Sequence, residues 1–173
     1  RYDNGSTDAL GWILRRLTNH SLDTLISEKI WSKLGAEQDA GMLVDAAGIE
    51  WAGAGMAACL RDFARLGEML RNLGKFNGQP LFSERVLTTI LQGGDPRVFA
   101  AGAGVPSGGS YKSQWWFNHD RHGSLGCRGQ YGQRIWIAPK AETMIAQFAI
   151  DPSLTALEPL RLRGFQAIAD ALG

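Results

Sequence analysis

The amino-acid sequence predicts an α+β fold in which an antiparallel sheet is flanked by helices. Three observations carry this prediction: helical periodicity dominates the first half, short apolar segments follow one another in the second half, and a helical segment comes last. Helices and strands that are segregated along the chain in this way are typical of α+β proteins. Hydrophobic residues make up 45% of the 173 residues and charged residues 20%, an ordinary balance for a globular domain.

Four helices are predicted in the first half, because apolar residues recur there with a helical period behind capping residues. They lie at residues 6–20, 21–35, 59–74 and 83–91. The first is expected to start at Ser6 or Thr7 and to carry an apolar stripe. The stripe consists of Leu10, Ile13, Leu14 and Leu17. The charges of the third helix, in "RDFAR", are expected to face water, and a turn at Asn77–Gly78 precedes the fourth helix.

The second half is predicted to form three or four antiparallel strands, because short apolar segments alternate there with Gly, Pro and charged residues. They lie at residues 113–118, 124–129, 133–139 and 143–150, and the closing helix lies at residues 156–172. Residues 93–109 lack periodicity and caps, so we expect a long loop there. Residues 42–45 are an isolated strand candidate.

The charge balance and the cysteines give no support to a nucleic-acid, membrane, zinc or redox site. The net charge is +1, from 18 basic and 17 acidic residues, which gives no electrostatic reason to expect nucleic acid or an anionic membrane as a partner. No apolar run reaches the length of a membrane span. Cys59 and Cys127 do not form a Cys-x-x-Cys pair, which favours buried free thiols over a zinc or redox site.

The three histidines give little support to a catalytic triad or a metal site. No Gly-x-Ser-x-Gly motif accompanies His20, His119 or His122. His119 and His122 lie in the polar, turn-like segment "NHDRHG", where exposed loop histidines are expected and no helix would bring metal ligands together. We therefore expect no metal and no cofactor.

The glycine-rich segment "GCRGQYGQR" is open to two interpretations. A phosphate loop is excluded, because the segment lacks the Lys-Ser/Thr ending and precedes a strand. Its glycines could be those of a plain hairpin or bulge. They could also let backbone amides approach a ligand closely, as an oxyanion hole requires.

Three segments, in order, resemble motifs of the serine β-lactamase-like hydrolases, which include class C β-lactamases, esterases and penicillin-recognising proteins. These segments are "YDNGSTDALGWIL", "AGMAACLRDFARLGEML" and "GCRGQYGQRIWIAP". The segments "YKSQWWFN" and "RGQYGQRIWIAPKAETMIA" are similar to the branch of 6-aminohexanoate-dimer hydrolases and related carboxylesterases. The resemblance implies a β-lactamase/transpeptidase-like fold and hydrolysis of a small amide or ester through an acyl-enzyme.

The resemblance also implies that residues 1–173 are the C-terminal portion of one catalytic domain. The family nucleophile lies upstream in a Ser-x-x-Lys motif, and no serine of this sequence has a lysine three residues later. We therefore expect the N-terminal portion to be absent or to be a second chain, the fold to be incomplete without it, and the chain alone to be inactive. The alternative is a non-catalytic fragment or pseudoenzyme that acts as a binding module.

By the same resemblance, Tyr2 is the proton carrier of the Tyr-x-Asn motif and Asn4 supports it. Gln130, after Gly129, supplies a backbone amide to the oxyanion. Cys127 and Arg128 stand in the third motif, which has neither Lys nor His at its first position. Arg128 is interpreted as gripping a substrate carboxylate or, alternatively, as an ion-pair partner inside the sheet.

Overall fold

The computed structural model describes residues 2–98, 108–153 and 156–172, and the chain divides into two compact units at residues 62 and 63. In the described residues the α-helices are α1 (Asn4–Thr18), α2 (Leu22–Lys29), α3 (Leu60–Arg71), α4 (Glu84–Leu91) and α5 (Glu158–Leu172). The strands are β1 (Gly41–Met42), β2 (Met56–Ala57), β3 (Lys75–Phe76), β4 (Gln79–Pro80), β5 (Ser110–Lys112), β6 (Trp115–Phe117), β7 (Leu125–Arg128), β8 (Arg134–Ala138) and β9 (Thr143–Gln147).

The first unit is a small helical layer closed by a two-stranded antiparallel ladder of β1 and β2. Its buried side chains include Leu22, Trp31 and Leu34. Gly11 lets α1 approach the segment after β1 closely, since a β-carbon at this position would lie 2.6 Å from the Ala52 β-carbon. The helical layer therefore depends on the absence of a side chain at this position.

The start of α1 corrects the expectation that Ser6 or Thr7 caps it. Asp3 is the N-cap, because its Oδ1 accepts a hydrogen bond from the Gly5 amide at 3.1 Å. Ser6 is inside the helix, and its hydroxyl donates to Asp3 Oδ2 at 3.0 Å. The helix consequently begins at Asn4.

The apolar stripe of α1 is exposed in this chain. Its four side chains have exposed fractions of 43% to 79%, and Gly11 is the buried residue of the helix. A stripe of this spacing normally faces a core. The residues described here leave this one uncovered.

The expectation that the charges of α3 face water holds for Arg61, whose side chain is 72% exposed, and is wrong for Asp62. It is 0% exposed, and its carboxylate accepts hydrogen bonds from the Glu37 and Gln38 amides at 3.0 and 3.1 Å. The Cys59 thiol donates to the same group. Burial of a carboxylate is tolerated when hydrogen-bond donors surround it in this way.

The second unit is built on a five-stranded antiparallel sheet with the order β5-β6-β7-β8-β9. This confirms the predicted α+β class and the four predicted strand segments. Strand β5 is additional, because its three residues, Ser-Tyr-Lys, are too few to establish an alternation in the sequence. The predicted loop at residues 93–109 falls partly on residues 99–107, which lie outside the described residues.

Helices cover both faces of this sheet. On one face, Leu125 and Ile137 belong to a cluster that includes Leu70 and Ile90 of α3 and α4. On the other face, Trp136 packs on Phe165 of α5, with ring centroids 5.7 Å apart. Because successive strand residues point to opposite faces, strand β8 supplies side chains to both clusters.

Candidate active site

The candidate site of the second unit is the turn between β7 and β8, called here the 129–133 loop. The Gly129 amide donates to Gln133 O at 2.9 Å, and the Gln133 amide donates to Gln130 O at 3.2 Å. Tyr131 and Gly132 have φ of +56° and +89°. Residues 129–131 are exposed, so this compact, left-handed turn lies at the surface, where such turns can form anion sites from backbone amides.

Cys127 lies in β7 directly opposite Ile135 of β8. It therefore shares a sheet face with Leu125, the face covered by α3 and α4. Burial raises the pKa of its thiol to about 12, so the thiol is neutral near pH 7. A thiol carries no positive charge in either protonation state, so Cys127 cannot replace a Lys or His at the first position of the third motif.

Arg128 points to the opposite face, towards α5. Its Nε lies 3.4 Å from Glu158 Oε1, and its guanidinium carbon lies 4.8 Å from the centroid of the Trp116 ring. The side chain is 15% exposed. Burial lowers the pKa of Arg128, Glu158 opposes this shift, and neighbouring Arg134 adds to it. The geometry favours the ion-pair interpretation of Arg128 over the substrate-carboxylate interpretation.

Tyr2 and Asn4 lie in the first unit, at the start of α1. The capping Asp3 between them determines where the helix begins, so Tyr2 lies just outside the helix and Asn4 is its first residue. Tyr2 is 39% exposed. A β-carbon at Gly53 would lie 3.1 Å from Asn4 O, so the backbone at Gly53 closely supports the motif.

The histidines occupy three different environments. His20 contacts the Thr18 carbonyl and His119 is exposed, as predicted, with Nε2 2.6 Å from Ser110 Oγ. His122 corrects the expectation, because it is buried and its Nε2 lies 2.7 Å from Asp170 Oδ1. Within the described ranges, His, Cys, Asp and Glu form no group of three that could hold a metal ion. Over the same ranges, no helix is long and apolar enough to cross a membrane.

The model of the beta-lactamase family matches residues 1–156 of the chain. The chain belongs to the beta-lactamase family. The match includes the first unit, the five-stranded sheet and the 129–133 loop.

Three known proteins are also similar to this chain. A 6-aminohexanoate-dimer hydrolase from Paenarthrobacter ureafaciens is 32% identical over 155 residues, which are 88% of this chain and 39% of the relative. A solved candidate 6-aminohexanoate-dimer hydrolase from Bacillus anthracis superposes with a TM-score of 0.90 at 35% identity, over 99% of this chain and 44% of that one. A penicillin-binding protein homologue from Caulobacter crescentus shares the fold, with a TM-score of 0.61 at 16% identity, over 83% of this chain and 51% of that one. This beta-lactamase-family chain therefore spans less than half the length of the two hydrolases.

Sequence reasoning missed Arg134, Glu158 and Arg161, which surround the 129–133 loop of this beta-lactamase-family chain. Arg134 Nε donates to Glu158 Oε2 at 3.0 Å, and Arg161 pairs with Asp151. The partners are up to 24 residues apart in sequence. No local spacing rule predicts a contact between residues at that separation. The abundance of arginine around α5 was a signal in the sequence that could have indicated an ion-pair cluster.

We predict that Arg128→Ala lowers Tm and, in the complete enzyme proposed below, lowers kcat/KM equally for neutral and acidic substrates. The guanidinium covers Trp116 and pairs with Glu158, so its loss is a packing and ion-pair defect of about 1–2 kcal/mol. The measurements are thermal melts and kinetics with a matched pair of neutral and carboxylate-bearing esters. Arg97→Ala is the control, since the Arg97–Asp95 pair is solvent-exposed. A KM increase confined to acidic substrates would instead assign Arg128 to substrate binding.

Proposed function

We propose that this beta-lactamase-family chain is the C-terminal portion of a serine hydrolase that cleaves an amide or ester through an acyl-enzyme. The family and its hydrolase relatives support hydrolase activity in general. The observation that carries the finer proposal is the 32% identity to a 6-aminohexanoate-dimer hydrolase over 88% of the chain. That name indicates a linear amide, and we propose small linear amides and esters as the substrate class.

Tyr2 is proposed as the proton carrier of the reaction, with Asn4 as its support. A serine hydroxyl is a poor nucleophile at neutral pH and needs a nearby base. Tyr has an unperturbed pKa of about 10, so a neighbouring ammonium must stabilise the phenolate. Tyr2 is 39% exposed and lies directly before α1.

The Gln130 amide, which follows Gly129, is proposed as an oxyanion donor. Backbone amides suit this role because they are held in place before charge develops on the substrate oxygen. The internal hydrogen bonds of the 129–133 loop support the proposal, since they restrict the direction of that amide. The second donor is proposed to be the amide of the nucleophilic serine.

The nucleophile is proposed to lie in further polypeptide, on the same chain or on a second one. The 173 residues contain no Ser-x-x-Lys, and they span 39% and 44% of the two hydrolase relatives. Uncovered apolar surface supports the proposal in each unit: the α1 stripe in the first, and Phe148 and Ile150 beside β9 in the second. Strand β9 pairs only with β8 among the described residues, and its sequence has no charge or Pro to discourage pairing.

The test is to trap the acyl-enzyme in the complete enzyme. A p-nitrophenyl ester should give a burst of nitrophenol, and mass analysis should find the acyl group on the serine of an upstream Ser-x-x-Lys. The corresponding Ser→Ala variant should give neither signal. Turnover without an acyl adduct in a rapidly quenched reaction would contradict the proposed mechanism.

A binding module without turnover is the second candidate. Cys127 at the first position of the third motif favours it, since a cysteine cannot give the charge support of a Lys or His there. In that case the ester would bind without a burst.

A further inference from the structure

The backbone of the 129–133 loop needs external support. Tyr131 has φ of +56° and ψ of +20°, a left-handed conformation that residues with a β-carbon adopt reluctantly. Such a conformation persists only where the surroundings enforce it. The side chains around the loop therefore bear on the direction of the Gln130 amide.

Arg134 holds both ends of the loop at once. Its Nη1 donates to Gly129 O at 2.8 Å and to Gln133 O at 2.7 Å. The residue is 8% exposed, so these charge-assisted bonds lie largely out of water. A single planar guanidinium thus restrains the distance between the two ends.

Glu158 in turn holds Arg134. Its Oε2 accepts from Arg134 Nε at 3.0 Å and also from Nη2. As the first residue of α5, its carboxylate is further favoured by the positive end of the helix dipole. Arg128 lies directly opposite Arg134 in the β7–β8 register and also pairs with Glu158. Without this carboxylate, two largely buried guanidinium groups would face each other unscreened.

The outer side of the loop is tied to the segment after β9. The Asp151 amide donates to Tyr131 O at 2.9 Å, and Gln133 exchanges two hydrogen bonds with the backbone of Ala149. Asp151 is paired with Arg161, whose Nη1 lies 3.8 Å from Glu158 Oε2. Glu158 is therefore the anion that both sides of the loop share.

We infer that Glu158 is a positioning residue for the Gln130 amide and acts through the two hydrogen bonds that Arg134 makes to the loop ends. The inference rests on the proposed function for its catalytic consequence, because an oxyanion donor matters mainly in the transition state. Its structural part, the restraint of the loop, is measurable without any substrate.

The test compares Glu158→Gln with Glu84→Gln in the complete enzyme. Both residues begin a helix and both pair with a cation, but the Glu84 side chain is 57% exposed and its pair with Lys75 lies on the surface. We expect amide hydrogen exchange at residues 129–133 to become at least about tenfold faster in Glu158→Gln alone. We also expect its kcat per acylating site to fall by about tenfold to a hundredfold, with KM within about twofold of the parent value.

If Glu158 had a purely structural role, Glu158→Gln would reduce the burst amplitude, which measures the number of acylating sites, and would leave kcat per site unchanged. That result, or unchanged exchange in the loop of a folded Glu158→Gln, would overturn the inference. If Glu158→Gln does not fold, Arg134→Lys takes its place, since Lys keeps the charge but has one nitrogen in place of the three that bind Glu158 and the two carbonyls. If the parent enzyme gives neither a burst nor an acyl adduct, the proposed function is refuted, and loop exchange alone then decides the positioning role.

Discussion

Tyr2→Phe in the complete enzyme is expected to reduce acyl transfer by about a hundredfold or more. The substitution removes one hydroxyl from a residue outside α1, so the helix and its Asp3 cap should be retained. The loss should be larger for an amide than for a p-nitrophenyl ester, because an amine must be protonated to leave whereas nitrophenolate leaves as a stable anion. The measurement is kcat/KM for both substrates across pH.

Tyr111→Phe is the matched control for this prediction. Its hydroxyl donates to Gln114 Oε1 at 2.6 Å within the β5–β6 hairpin, so the same atom is removed from a structural hydrogen bond. We expect this variant to keep kcat and to lose only a little stability. Near-normal amide turnover by Tyr2→Phe would contradict the assignment of Tyr2 as the proton carrier.

The second large effect concerns the polypeptide that carries the nucleophile. The 173-residue chain alone is expected to hydrolyse neither esters nor amides, and activity should appear when the remaining part of the domain is supplied. The physical reason is twofold: the chain has no Ser-x-x-Lys, and the α1 stripe leaves apolar side chains in water. The measurement is ester hydrolysis during titration of one part with the other.

The α1 stripe offers a specific test of this complementation. Leu14→Glu would place a carboxylate in the apolar stripe that we propose the further polypeptide covers, and we expect the apparent Kd of the two parts to rise by about a hundredfold or more. Arg16→Gln changes the net charge by the same amount on the same helix outside the stripe, and it should complement normally. Hydrolysis by the chain alone, or equal complementation by both variants, would contradict the proposal.

Local patterns predicted much of the fold because their causes are local. The apolar period of α3 and the Asn77–Gly78 turn were predicted from neighbouring residues, and both residues of the turn have positive φ as a two-residue hairpin requires. The strand segments were similarly identified from alternation between turn residues. The resemblance of whole motifs then predicted the family, which the match to residues 1–156 confirms.

Errors arose where a distant partner decided the outcome. Asp62 is buried because the amides of Glu37 and Gln38, some 25 residues earlier, donate to it. His122 is buried because α5 brings Asp170 to it, 48 residues later. Charge and turn propensity predicted that Asp62 and His122 are exposed. Propensity depends on neighbouring residues and does not include hydrogen-bond partners that are distant in the sequence.

The sequence by itself determined the α+β class, the positions of most helices and strands, and the membership of a serine-hydrolase-like family. These features follow from periodicity, capping and motif order, which depend on residues that are close together in the chain. Only the tertiary structure decided on which face of the sheet Arg128 lies and which residues hold the 129–133 loop. Because side chains alternate along β7, Arg128 points towards α5, where the Glu158 carboxylate forms ion pairs with both Arg128 and Arg134. Such a cluster forms only when the packing of α5 on the sheet removes water from charges that are far apart in the sequence.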